Sequence, residues 1–330
     1  KKIRLDELDR NNNWRIDIAE KHNKSSQRII SQCKEVSICP VCNSDDRNKY
    51  TKVFGFTFYN CNSCNHLYSG YVPSQVDLKS LYAEGENDQE VNSVQREIYA
   101  NEKYFEKRLK QIAYPKAKFA SDNIQDRGLW IDLGAGTGDL LISAKKLGWE
   151  TLGFESDKVQ VQFARGKGVK MFEKYLDLTK ELTDLKSAKI VSLINVLEHL
   201  EDPKKTIINI SKSLNEGAYF LFEVPRFPSL SSFANKCFPE TCARNIYSPD
   251  HLHLFSDESI KFILDNAGFG IKSAWYFGQD IYELFGNAAC KGEVELNSNF
   301  HNFLPILNDL QKIVDLNKFS DTMLILAQKK

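Results

Sequence analysis

Residues Leu129–Leu140 read LWIDLGAGTGDL, an apolar run that passes through three alternate glycines into a helix-forming stretch. The apolar residues predict a buried strand, and DLLISAKKLGW predicts a helix ending near Gly148. Gly134, Gly136 and Gly138, lying between them, predict a turn at which a ligand meets bare backbone. A dinucleotide fingerprint, GxGxxG, carries its third glycine one residue later than GAGTG does. A phosphate-binding loop needs Gly-Lys-Ser/Thr, and none follows. A ligand with no phosphate at the turn fits best. Asp132 ends the strand two residues before Gly134, where a carboxylate orders the loop or reaches a cationic ligand through water.

Working outward, TLGFE predicts a second strand ending in Glu155, which lies 21 residues beyond Gly134. An acid there suits a ribose diol, although NAD sites place one similarly and a solvated strand end is the plain alternative. SDKVQVQFARGKG reads as a helix, KIVSLINV as a strand, PKKTIINISKSL as a helix and AYFLFEV as a strand stopped by Pro225. Alternating strands and helices predict parallel pairing through right-handed crossovers, and the continuous apolar strands predict a sheet covered on both faces. SDESIKFILDNAGF reads as a helix with Ser256 at its N-cap and Ser259 at the third turn position. IKSAWYFG and TMLILAQ read as final strands, separated by a helical insert around residues 280–318.

The 330 residues carry 44 basic and 44 acidic side chains, so net charge gives no reason to expect nucleic acid or an anionic membrane as partner. No apolar run approaches the roughly 20 residues of a membrane span, and the polar beginning has no signal-peptide core, so a cytoplasmic protein is expected. The expected layout is a mobile arm or short helices at 1–37, a zinc ribbon at 38–70, a helical connector at 71–120 and an α/β core at 121–330. Substrate-side insertions are expected at 226–255 and 279–320. Nothing in the sequence sets an oligomeric state.

CPVC, Cys39 to Cys42, and CNSC, Cys61 to Cys64, stand 18 residues apart. Each CxxC can fold as a knuckle presenting two thiolates, and two knuckles make a closed tetrahedral zinc site. KVFGFTFYN between them reads as a strand leading into the second knuckle. A closed four-thiolate site leaves no open position, so zinc there is structural. His66 is a spare ligand that four cysteines make unnecessary.

The stretch INVLEHLEDP, Ile194 to Pro203, adds the third element of a set. Together with the Asp132–Gly138 loop and Glu155 it resembles the class I S-adenosylmethionine-dependent methyltransferases, over about residues 128–276 and the last strand. The resemblance implies a Rossmann-like core with a seven-stranded, mostly parallel sheet, and S-adenosylmethionine as cofactor. It puts Gly134, Gly136 and Gly138 against the methionine part, Glu155 on the ribose, and Asn195 and Val196 near the cofactor. The family's acid after strand three matches Asp177, with Glu173 as alternative, and Glu198 and His199 match residues that support the loop.

The ribbon ahead of such a core resembles methyltransferases of sugars, nucleotide sugars and natural products. HLYSGYVPSQVDLKSLYAEG matches their joining segment, where Tyr82 corresponds to an aromatic residue closing over the cofactor. IYSPDHLHLFS resembles a segment of the sugar C-methyltransferases, which implies His251 as base with Asp250 beside it. Ser248-Pro249 replaces that group's Tyr-His, so the expected acceptor is a hydroxyl or amine of a sugar, nucleotide sugar or related metabolite. The alternatives are carbon methylation of a nucleotide-linked keto sugar, a ribbon-based RNA- or protein-binding scaffold, and an NAD-dependent enzyme. Arg226 is either an anion-binding residue or a surface charge, and Cys237 and Cys242 receive no role.

Overall fold

A computed structural model describes residues 12–74, 101–178, 180, 182, 185–293 and 304–330. Tyr82 and most of the joining segment lie outside them. The first described element is α1 (Asn12–Ile29), an 18-residue helix where a mobile arm or short helices are expected. Its buried face carries Ile18, Ala19 and Ile29 together with polar Arg15, His22 and Ser26. Arg15, 2% exposed, ties it to the core with a guanidinium that forks onto both oxygens of Glu283 at 2.9 and 3.0 Å. Arg15→Ala would leave the Glu283 carboxylate buried without its cation. We expect a loss of about 3–5 kcal/mol in denaturant unfolding, and an unchanged midpoint would contradict that account.

The ribbon follows: β1 (Lys34–Glu35), β2 (Arg47–Val53), β3 (Phe56–Cys61), β4 (Leu67–Ser69) and β5 (Tyr71–Val72). The stretch expected as one strand is a hairpin instead, broken at Phe54 and Gly55, whose φ values are +47° and +94°. Two consecutive positive φ angles make a two-residue turn matched to strand twist. A helix α2 (Glu102–Arg108) then runs through a π turn at Leu109–Ala113 into α3 (Tyr114–Asp122).

The core alternates as read: β6 (Leu129–Leu133), α4 (Asp139–Lys146), β7 (Glu150–Glu155), α5 (Lys158–Gly166), β8 (Met171–Glu173), β9 (Ala188–Ile194), α6 (Pro203–Ser213) and β10 (Tyr219–Pro225). After α7 (Leu230–Cys237) come β11 (His253–Leu254), α8 (Asp257–Asn266) and β12 (Phe269–Phe277). The chain ends with α9 (Asp280–Lys291), α10 (Leu304–Leu316) and β13 (Thr322–Lys329). Ser256 caps α8, and Ser259 returns the bond in place of the usual glutamate, completing a capping box.

One sheet holds seven strands in the order β12-β13-β10-β9-β6-β7-β8. All neighbours from β8 to β10 are parallel, and β13 runs against both β10 and β12. Side chains alternate between two buried layers. Ile131, Leu133, Val191, Leu193, Phe220 and Phe222 meet α6 and α8, while Trp130, Ile190, Leu221 and Leu324 meet α3, α4 and α5. Strand order reverses between β6 and β9, which opens a crevice at their carboxyl ends where ligands of such sheets bind.

The ribbon is fused to this core. Its four-stranded sheet, β2-β3-β4-β11, takes its last strand from residues 253–254. Cys39, Cys61, Cys64 and Tyr68 belong to the same buried cluster as Leu193 and Phe255. No helix among the described residues is long and apolar enough to cross a membrane.

Candidate active site

The glycine loop is held by the strand beside it. The N–H groups of Gly134 and Ala135 both donate to Phe154 O, at 2.9 and 3.0 Å. Gly134, Gly136 and Gly138 have φ of +73°, +53° and +75°, a region in which side chains are strained. A Cβ on Gly134 would stand 2.9 Å from Val196 Cγ2. Asn195 also takes a left-handed φ of +54°, and its N–H donates to Glu223 O at 3.1 Å. The loops after β6 and β9 thus touch across the crevice.

Glu155, at the end of β7, binds the loop. Its Oε2 accepts from Gly136 N at 2.9 Å, and Oε1 accepts from Ser156 N at 2.7 Å and Asp157 N at 2.9 Å. A carboxylate has about four acceptor positions, so Oε2 keeps room for a ligand hydroxyl. Asp132 is 2% exposed and accepts from Ser192 Oγ at 2.5 Å, while Trp130 Nε1 donates to that same Oγ at 2.8 Å. Burial pushes the Asp132 carboxyl up to about 7. Asp177 is exposed at the rim of the crevice, 3.0 Å from Lys180, whereas Glu173 lies outside the cavity lining.

These residues open on a cavity of about 1470 Å³, lined also by parts remote in sequence. From α1 come Trp14, Ile18 and His22, and from the ribbon Val36, Ile38 and Pro40. Lys116 of α3 and Glu223 of β10 pair on its wall at 2.6 Å.

His251 and Asp250 also line the cavity. His251 Nδ1 lies 2.8 Å from Asn245 O, and its ring stacks at 4.1 Å on Tyr247 and edge-on at 4.7 Å on His199. His22 continues the stack onto Tyr247 at 4.5 Å, with its Nδ1 3.9 Å from Asp250 Oδ2. Burial holds His251 well below the ordinary histidine range, and holds His22 and His199 at about 4. Each is a neutral imidazole at pH 7. His253 also lines the cavity, but both its ring nitrogens are engaged: Nδ1 meets His66 at 3.1 Å, and Nε2 meets Leu200 O at 2.8 Å. Arg226 is neither a surface charge nor a lining residue, for it is buried against Asp257 at 2.7 Å. Cys242 is buried and Cys237 exposed, and they are not paired.

In the ribbon all four thiol sulfurs lie within 4.8 Å of one another, with Cys39–Cys64 at 3.6 Å and Cys42–Cys61 at 3.4 Å. Zinc–sulfur bonds of ~2.3 Å in a tetrahedron put sulfurs ~3.8 Å apart, so the four fit the ion. The knuckles are built alike. Asn43 N donates to Cys39 O and Asn65 N to Cys61 O, each at 2.9 Å, and both asparagines have left-handed φ, +62° and +55°. The repeated CxxCN was the signal for those asparagines in the sequence. His66 stands outside the sulfur cluster.

The match to known families is decided by the core. A family model described as a methyltransferase domain matches residues 104–274. The chain belongs to that methyltransferase family. Similar solved structures include an S-adenosylmethionine-dependent methyltransferase from Archaeoglobus fulgidus, 19% identical, covering 68% of this chain and 99% of that one, with a TM-score of 0.46. Magnesium protoporphyrin IX methyltransferase from Synechocystis is 14% identical, covering 72% and 100%, at 0.45. Geranyl diphosphate C-methyltransferase from Streptomyces coelicolor is 12% identical, covering 70% and 86%, at 0.43. A comparison with curated proteins found no match. The methyltransferase's α1, its ribbon and its last strand all lie outside the matched residues.

Proposed function

We propose that the protein moves a methyl group from S-adenosylmethionine to a hydroxyl or amine of a sugar, nucleotide sugar or related small metabolite, in the cytoplasm. The observation that carries the reading is the Gly136 N–H to Glu155 Oε2 bond of 2.9 Å, which joins the glycine turn to the second-strand acid. Together they make a surface of bare backbone beside a carboxylate, suited to a nucleoside carrying an amino-acid tail. S-adenosylmethionine supplies an electrophilic sulfonium methyl.

The chain's own residues have divided tasks. Gly134 and Gly136 admit the tail, whereas Gly138, expected beside them, lies outside the cavity lining and lets the turn pack on Ala164 and Val169; Glu155 Oε2 takes a ribose hydroxyl, and Asp132 stiffens the loop through Ser192. Asn195 and Val196 shape the opposite wall, Asp177 stands at the nucleoside rim, and Tyr82 is assigned to cover the cofactor. His251 is the proton acceptor. Its Nδ1 faces a carbonyl, which can only accept, so Nδ1 carries the proton and Nε2 the lone pair. Asp250 is assigned to the same end of the cavity, where its carboxylate lies 3.9 Å from His22 Nδ1. Cys39, Cys42, Cys61 and Cys64 hold a structural zinc.

His251→Ala is expected to lower turnover about 10²–10⁴-fold while the affinity for S-adenosylhomocysteine stays within twofold. Full turnover in the variant would remove the base assignment. Methyl-labelled donor offered with a panel of sugar nucleotides tests the acceptor class. Uptake of solvent deuterium beside a ketone, without transfer to oxygen or nitrogen, would replace it with carbon methylation.

A further inference from the structure

We infer that Glu198, His199 and His251 form a site for one divalent transition-metal cation, distinct from the thiolate site of the ribbon. Donor atoms of all three residues lie within 4.8 Å of one another. Glu198 and His199 sit in the turn after β9, and His251 is brought against them by the segment entering β11. A mixed carboxylate–imidazole set of this kind takes zinc, iron(II), cobalt(II) or nickel(II), and discriminates against magnesium and calcium.

Three features beyond proximity point to a ligand. First, both imidazoles are oriented by backbone: His199 Nδ1 lies 2.9 Å from Asp250 O, and His251 Nδ1 lies 2.8 Å from Asn245 O. A carbonyl can only accept, so both Nδ1 atoms carry protons and both Nε2 atoms present lone pairs. This is the outer arrangement that fixes metal-binding histidines. Secondly, Glu198 is 1% exposed, and its Oε2 makes no hydrogen bond among the described residues. Burying a carboxyl oxygen without a partner is unfavourable, and a cation would offset that cost. Thirdly, Glu198 Oε1 already stands 3.9 Å from His199 Nε2, so a small side-chain rotation closes the set onto an ion with bonds of ~2.0–2.2 Å.

The three residues face the cavity and leave other coordination positions toward it. A thiolate cage is closed, but this site is open to a ligand from the acceptor side. In one respect the inference rests on the proposed function. An ion here takes the Nε2 lone pair that a base would use, so the cation inhibits transfer in competition with the acceptor, and a chelator relieves the inhibition.

The test uses the full chain with its ribbon zinc-loaded. Cobalt(II) is titrated in and followed by visible absorption, with zinc measured by mass spectrometry. One saturable equivalent of cobalt is expected, with weak ligand-field bands and none of the intense bands of cobalt–thiolate bonds. Glu198→Gln and His199→Ala should each weaken it at least tenfold, with retained zinc and unchanged circular dichroism reporting an intact fold. Absence of a saturable equivalent in the wild-type chain would overturn the site, as would full cobalt affinity in both variants. Neither readout uses donor or acceptor, so failure of methyl transfer would not be mistaken for failure of the site.

Discussion

Gly134→Val is expected to abolish S-adenosylmethionine binding, with the affinity falling at least 100-fold. Two costs coincide at this position. Its φ of +73° strains any β-branched residue, and its Cβ would enter Val196 Cγ2 at 2.9 Å, before the two further methyl groups are counted. Val196 is short and β-branched, so either its side chain or the glycine turn must shift, and it is the turn's backbone that the donor's tail would contact. Gly136→Val should behave alike through its φ of +53°, although its Cβ meets only the Gln160 amide, at 3.1 Å. Calorimetry with S-adenosylhomocysteine reads both variants. Circular dichroism should stay native, because the turn lies beyond the end of β6 and the strand pairing does not depend on it. Wild-type affinity in Gly134→Val would mean that the donor sits elsewhere.

If the ribbon holds the proposed zinc, Cys61→Ser should remove it and disturb the ribbon side of the cavity. Cys61 closes β3 with its sulfur 3.4 Å from Cys42, and it is fully buried. Losing one thiolate of four leaves a site that holds zinc poorly, and structural zinc contributes on the order of 10 kcal/mol to domains of this size. The damage would spread because the ribbon sheet includes β11. Ser69 N donates to Leu252 O at 2.8 Å, and Ser256 Oγ donates to Cys64 O at 2.9 Å, on either side of the strand that follows His251. We expect zinc content near zero, a melting temperature lower by ten degrees or more and no transfer. Full zinc and wild-type melting in Cys61→Ser would contradict the zinc assignment.

Much of the core was legible because its signals are local. Continuous apolar strands with glycine stops, and Ser256 three residues before Ser259, decide structure within a few residues. The glycine turn and Glu155 are similarly close in sequence. What escaped depends on partners far along the chain. The helix α1 has only a broken apolar face, Ile18, Ala19 and Ile29, and its Arg15 finds Glu283 268 residues away. Even Gly286 serves that pair, since a Cβ there would stand 2.7 Å from the Arg15 guanidinium. The hairpin turn at Phe54-Gly55 was hidden by a phenylalanine in a left-handed conformation that phenylalanine rarely adopts. Lys116, His22 and Tyr247 reach the cavity only through tertiary packing, and β11 is two residues long, too short for any period to register.

The central claim is that the crevice between β6 and β9 holds a sulfonium nucleoside. Isothermal titration of the full wild-type chain with S-adenosylmethionine, and separately with NAD, tests it most directly. Saturable binding of S-adenosylmethionine at one site per chain, weakened at least tenfold by Glu155→Ala and matched by no heat from NAD, is the predicted result. Saturable NAD binding, or no heat from S-adenosylmethionine at millimolar concentration, would contradict it.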